Sequence, residues 1–135
     1  MTTVRIAGVG LTPFGAHGDR AGRELFAAAA LAAFADAGID REAVDQLNYG
    51  NFMGALAEHQ GHQAPLMAEA AGLSCPATRY EEACASAGVA VREGVKTIRS
   101  GEADVILTGG MERMTTLDTG QATAALAIAA DELYE

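Results

Sequence analysis

Large rings are scarce: the 135 residues include no tryptophan, four phenylalanines and three tyrosines, so the core cannot be assembled around aromatic side chains. Sixteen glycines and a hydrophobic content of 50% point instead to close packing of small side chains in a single folded unit. Only two cysteines are present, Cys75 and Cys84, which excludes a disulfide framework. With no basic, apolar and cleavable leader at the N-terminus, that cysteine usage points to the cytoplasm. The longest apolar stretch, residues 25–34, is short for a bilayer and dominated by alanine, so no membrane insertion is expected. Basic residues are few as well. Nine Lys plus Arg against eighteen Asp plus Glu leave a net charge of -9, a surface that repels nucleic acid and anionic lipid. The acidic excess also suits solubility at high salt, which decides nothing about chemistry.

Against these absences stands a repeating order of strand and helix patterns. "VRIAGVG" from Val4 is β-branched and bounded by glycine, which predicts a first strand buried on both faces. "RELFAAAALAAFADAG" from Arg23 consists of strong helix formers, with Leu25, Ala29, Ala32 and Ala33 at helical spacing and Gly38 as its stop. "LNYGNFMG" from Leu47 reads as a second strand, and "HQAPLMAEAAGL" from His62 as a helix entered through Pro65 and closed by Gly72. "ATRYEEA" from Ala77 alternates as a third strand. A helix starts beside Cys84 with Val91, Gly94, Val95 and Ile98 on one stripe and Gly101 after it, and "ADVILTGG" from Ala103 reads as a fourth strand. Strands alternating with helices across short loops predict an α/β fold, a mostly parallel sheet covered on both faces. The apolar stripe Ala122, Leu126, Ala129 and Leu133 runs to the end of the sequence without a cap, so a longer protein is expected.

Cys84 falls at the turn between the third strand and the following helix, at the carboxyl end of the predicted sheet, where open α/β folds expose residues. Unpaired first-turn amides and the helix dipole favour a thiolate there, and a thiolate attacks acyl carbons. Glu81 and Glu82 oppose the charge, but strand alternation sends them to opposite faces. A small buried apolar role is the competing reading of Cys84. The run Ala85, Ser86, Ala87, Gly88 favours the nucleophile, because it clears room for an acyl group and a tetrahedral intermediate. Cys75, in a loop before Pro76, reads as structural, and a disulfide between the two cysteines is not expected in a reducing compartment.

His59 and His62 share helical spacing without a carboxylate or cysteine partner at a recognised distance, so no metal site is expected, and His17 is expected in solvent. "GVGLTPFG" departs from a dinucleotide fingerprint because its third glycine comes too late. Gly109 and Gly110 end a strand where a backbone or ligand can approach closely, and Glu112 beyond them reads equally as a site residue or a strand-end polar group.

Taken together, "EEACASAG" and "GGMERM" resemble the nucleophile motif and the Gly-Gly-x-Glu-x-Met segment of thiolases, particularly their archaeal and sterol-carrier-type branch. The order of elements over residues 4–115 is similar to the N-terminal half of that fold. Glu81 matches the acidic residue of the motif, and Ala87 stands where the family usually has the glycine that here follows as Gly88. The resemblance implies an acyl-CoA acyltransferase of lipid metabolism. Cys84 would take the acyl group and its own N–H would be one donor of an oxyanion hole, while an acetyl-CoA enolate or free coenzyme A accepts the acyl group. No bound cofactor is implied, since coenzyme A thioesters are the substrates. Catalytic histidines, a second cysteine and most of the coenzyme A contacts are expected in a C-terminal half and a loop domain. Residues 1–115 would then form the nucleophile-bearing domain and 116–135 the start of the loop-domain region, inactive without the rest. A homodimer or tetramer paired through the strand before Cys84 is implied, as are a zinc-containing accessory protein and a condensing synthase as partners. A decarboxylating condensing enzyme of the same fold and a non-catalytic thiolase-like scaffold are the alternative readings.

Overall fold

The structure, a computed structural model, describes residues 3–131 and 133. Helix α1 (Gly22–Ala37) leads to strand β1 (Gln46–Gly50), a short helix α2 (Gly54–Ala57) and helix α3 (Gln63–Ala70). Strand β2 (Ala77–Tyr80), helix α4 (Ser86–Ser100), strand β3 (Ile106–Gly110) and helix α5 (Thr119–Ala127) follow. The three strands form one parallel sheet in the order β2-β1-β3, so the α/β expectation holds. The chain crosses from β1 to β2 and then back over β1 to β3. Connections of one hand therefore place α3 and α4 on opposite faces.

Alternation along β1 shows both faces. Leu47 and Tyr49 are fully buried on one side, within a cluster that includes Phe26, Ala30, Ala64, Met67 and Ala71 from α1, α3 and the turn after α3. The rings of Phe26 and Tyr49 meet edge to face with centroids 5.3 Å apart, the only aromatic pair among the described residues of a ring-poor core. Asn48 and Gly50 face α4: the Asn48 amide donates to the Ala90 carbonyl at 3.2 Å, and Gly94 leaves space for Asn48 and Ile106. Gly38 and Gly101 close α1 and α4 in the left-handed conformation expected of glycine stops.

The segment expected as a first strand differs. Residues 3–10 carry no strand pairing; Ile6 is 83% exposed and Val9 69%. The segment lies along α1 instead, where side chains at Gly8 and Gly10 would strike the backbone of Ala37, Ala33 and Ala29, and Val9 N–H donates to Asp36 Oδ2 at 2.9 Å. The face of α1 carrying Ala29 and Ala33 is thus used by this segment, whereas Leu25, Phe26 and Ala30 enter the core and Ala32 is exposed. The strands are also shorter than the apolar runs: β2 ends at Tyr80, not Ala83, and β3 begins at Ile106. Helix α5, capped by Asp118 and Gln121, ends at Ala127, short of the predicted stripe, of which Ala122 is half-buried while Leu126, Ala129 and Leu133 are exposed; its buried residue is Ala125. Glu132, Tyr134 and Glu135 of that stretch lie outside the described residues. Among the described residues no helix is long and apolar enough to cross a membrane.

Asp45 ties the entry of β1 to that of β3. Its Oδ2 accepts from the amides of Asp104 (2.8 Å) and Val105 (2.9 Å), and its own N–H donates to the Val105 carbonyl. The Val105 and Asp104 amides hold the carboxyl below its usual value of 3.8. A depressed folded pKa means stabilisation that is present above the unfolded value and lost as pH falls through the folded one. Asp45→Ala should therefore lower the urea midpoint at neutral pH, with the difference from wild type closing in acid below the usual carboxylate range.

Candidate active site around Cys84

The three parallel strands end at Gly50, Tyr80 and Gly110, and the loops after them gather at the same edge of the sheet. Two glycines set the spacing there. A methyl group at Gly110 would overlap the carbonyl of Gly50, and one at Gly50 would sit 2.6 Å from the backbone N of Ala87 in α4. The close backbone approach expected at Gly110 is thus to the neighbouring strand rather than to a ligand.

Beyond Tyr80 the chain turns instead of continuing its alternation. Ala83 takes a left-handed conformation (φ 46°), unusual for a residue with a Cβ and costing on the order of 1 kcal/mol. Glu81 folds its Oε1 onto the Ala83 amide at 2.6 Å, so the prediction that Glu81 and Glu82 sit on opposite strand faces does not apply. The turn delivers Cys84 one residue ahead of Ala85, the N-cap of α4, with the thiol exposed. Helix α4 has no side-chain cap, and the amides of Ala87 and Gly88 have no acceptor among the described residues. Ala85, Ala87 and Gly88, which follow Cys84 in the chain, are exposed, while Ser86 is buried. Ala87 packs its backbone on Gly50 and remains at the surface.

A polar network braces the neighbouring loops, and composition gave little sign of it. Glu112 accepts from the amides of Phe52 and Met53 and from Asn51 Nδ2; Asn51 Nδ2 also donates to the Met111 carbonyl at 2.7 Å. Tyr49 Oη donates to Gln63 Oε1 at 3.0 Å, and Gln63 Nε2 donates to Glu58 Oε2 at 2.9 Å. Arg79 spends its guanidinium on the carbonyls of Asn51, Phe52 and Gly61. Partial burial pushes the Glu112 carboxyl up, ahead of the opposing amides of Phe52 and Met53 and the charge of Arg79. Glu112 therefore holds the ends of two strands together, a structural role at the strand end. The only hint in the sequence was the polar pair Asn48 and Asn51 inside an apolar stretch, which must find partners if buried.

Cys75 lies before β2 and Cys84 after it, at opposite ends of the strand, so the two sulfurs do not meet; both are free. Burial pushes the Cys75 thiol up. A groove lined by Pro65, Glu69, Leu73, Cys75 and Pro76 lies at that amino edge, away from Cys84. His59 and His62 do not share a helix: α2 ends before them, α3 begins after them, and both are exposed. No group of three metal-ligating residues occurs among the described residues. His17 is half-buried and bonds the Pro13 carbonyl through Nε2 at 2.7 Å, in contrast to the solvated position expected.

The class is therefore an open parallel α/β domain whose loops converge at the carboxyl edge of its sheet. Residues 4–132 match the family described as thiolase, N-terminal domain, and the chain belongs to that family. It is similar to an acetyl-CoA acetyltransferase of Methanocaldococcus jannaschii, 43% identical over 136 residues, covering all of this chain and 34% of the relative. It is likewise similar to an acetyl-CoA acetyltransferase of Methanothermobacter thermautotrophicus, 38% identical over 136 residues, covering all of this chain and 35% of the relative. The chain thus spans about a third of the length of the curated relatives it matches.

Two outcomes follow from this geometry. Gly50→Ala should destabilise the domain by about 1–3 kcal/mol in urea unfolding, because the new methyl must displace backbone rather than a flexible side chain. Iodoacetamide should label Cys84 well before Cys75 at neutral pH, since a half-buried thiol with a raised pKa offers less thiolate; equal rates by peptide mass spectrometry would contradict the placement of both.

Proposed function

We propose that this chain is the nucleophile-bearing part of a thiolase-type acyl-CoA acyltransferase. The observation that supports it most is an exposed thiol, Cys84, standing directly before an uncapped helix in a chain of the thiolase N-terminal family. In this reading Cys84 Sγ attacks the carbonyl carbon of an acyl-CoA. A tetrahedral oxyanion forms beside backbone amides at the start of α4, the Cys84 N–H among them, and collapses with cleavage of the carbon–sulfur bond to coenzyme A. Coenzyme A leaves as the thiol, taking the proton that the cysteine gave up. In condensation the acyl group on Cys84 then passes to the enolate carbon of acetyl-CoA. In thiolysis Cys84 Sγ instead attacks the keto carbon of a 3-ketoacyl-CoA, and the carbon–carbon bond breaks with acetyl-CoA leaving as its enolate and taking up a proton. The acyl group then passes to coenzyme A sulfur, whose proton returns to the acid–base groups. Coenzyme A thioesters are the substrates, with no resident cofactor required.

Residues 1–115 form the nucleophile domain in this reading, and 116–135 open the loop-domain region. Acid–base groups and most coenzyme A contacts come from parts of the protein outside this chain. The outer edge of β2 is unpaired among the described residues, which supports a homodimer, or a tetramer built from one, paired through that strand. A zinc-containing accessory protein and a condensing synthase are further partners of this reading, and the setting is lipid metabolism in the cytoplasm.

Incubation with acetyl-CoA followed by peptide mass spectrometry tests the assignment. Acetyl should appear on Cys84 of the wild-type protein, and Cys84→Ser should abolish it while the circular dichroism spectrum is unchanged. Label persisting in the serine variant at another residue would remove Cys84 from the role.

A further inference from the structure

Every backbone polar group of Ala83 is engaged. Its N–H donates to Glu81 Oε1 at 2.6 Å, and its carbonyl accepts from both the amide (3.2 Å) and the hydroxyl (2.7 Å) of Ser86. The same hydroxyl accepts from the Glu82 N–H at 2.9 Å, so one oxygen bridges the residues on either side of the Glu82–Ala83 peptide. A third tie, Ala85 N–H to the Glu82 carbonyl at 2.9 Å, closes the loop over Cys84. Ser86 is only 4% exposed, and no hydrogen bond from its side chain to any other residue is present among the described residues.

A buried hydroxyl with two backbone partners, both belonging to one strained turn, has its effect at that turn. An alanine left to itself avoids positive φ, because its Cβ crowds the following carbonyl. Without the bridge, Ala83 relaxes toward negative φ and carries Cys84 away from the start of α4, where unpaired amides attract an anion. We infer that Ser86 is a positioning residue: its hydroxyl clasps Glu82 N–H and Ala83 C=O, holds Ala83 left-handed, and so fixes where Cys84 is presented. This rests on the reading of Cys84 as the acyl acceptor and adds the group that places it.

The test uses the full chain and iodoacetamide, with Cys84 and Cys75 followed separately by peptide mass spectrometry. Ser86→Ala should slow alkylation of Cys84 roughly five- to tenfold, the population of a turn that has lost two hydrogen bonds, while Cys75 labels at its wild-type rate. Adding Ala83→Gly to Ser86→Ala should restore most of the lost rate, because glycine occupies the left-handed region without a clasp. A hydroxyl that served only overall stability would lower the thermal midpoint without this local rescue. Ala83→Val keeps the hydroxyl but penalises positive φ, and should slow Cys84 as well; it carries the test if Ser86→Ala does not fold. Wild-type rates in Ser86→Ala or in Ala83→Val, or a double variant as slow as Ser86→Ala, would overturn the inference. Acetyl transfer from acetyl-CoA is read separately, on the protein completed by the parts outside this chain: its absence there would count against the nucleophile, while the alkylation series would still report on the clasp.

Discussion

Backbone-to-backbone contact at Gly50 is the constraint on which the carboxyl edge of the sheet depends. On one side the residue meets Gly110 of β3; on the other it meets Ala87 in the first turn of α4. No side chain larger than hydrogen fits between them, so strand spacing and helix position are set together. The helix start is held against the sheet through this contact, and the turn carrying Cys84 is held against the helix start. Precision at the sulfur is thus inherited from a residue with no side chain of its own.

The second element of rigidity is polar. Loops after parallel strands contain many amides and carbonyls that the sheet cannot satisfy, and burying them unpaired is costly. Here charged and amide side chains from other elements meet that need: Glu112 for the loop after β1, and Arg79 for the carbonyls of the same loop and of Gly61. The loop is therefore gripped from both neighbouring strands, one reaching its donors and the other its acceptors.

Periodicity was enough for α1 and α4 and their ends, because Gly38 and Gly101 are required by local backbone geometry that any sequence reading can test; it missed the single turn of α2 and misplaced the face and end of α5. Alternation within an apolar run was less informative about strands. "VRIAGVG" has the composition of a buried strand yet lies on α1, since composition reports what a segment is able to pair with, not whether a partner stands beside it. At the site, the position of Cys84 before a helix was readable from the periodic stripe Val91, Gly94, Val95 and Ile98 that follows it. The left-handed Ala83 was not, because alanine carries none of the signals by which glycine or asparagine announce such a turn. The roles of Arg79 and Glu112 were equally hidden, depending on contacts between residues far apart in the chain.

The central position of β1 has a kinetic side. Its pairing with β2 joins Leu47 to Ala77, but its pairing with β3 must wait for Ile106 to Gly110, roughly twice as far along the chain. During synthesis the most buried strand of the domain therefore emerges early and receives its second neighbour late. Non-local closure of this sort slows folding, leaving the apolar face of Leu47 and Tyr49 dependent on α1 and α3 for cover until the last strand leaves the ribosome.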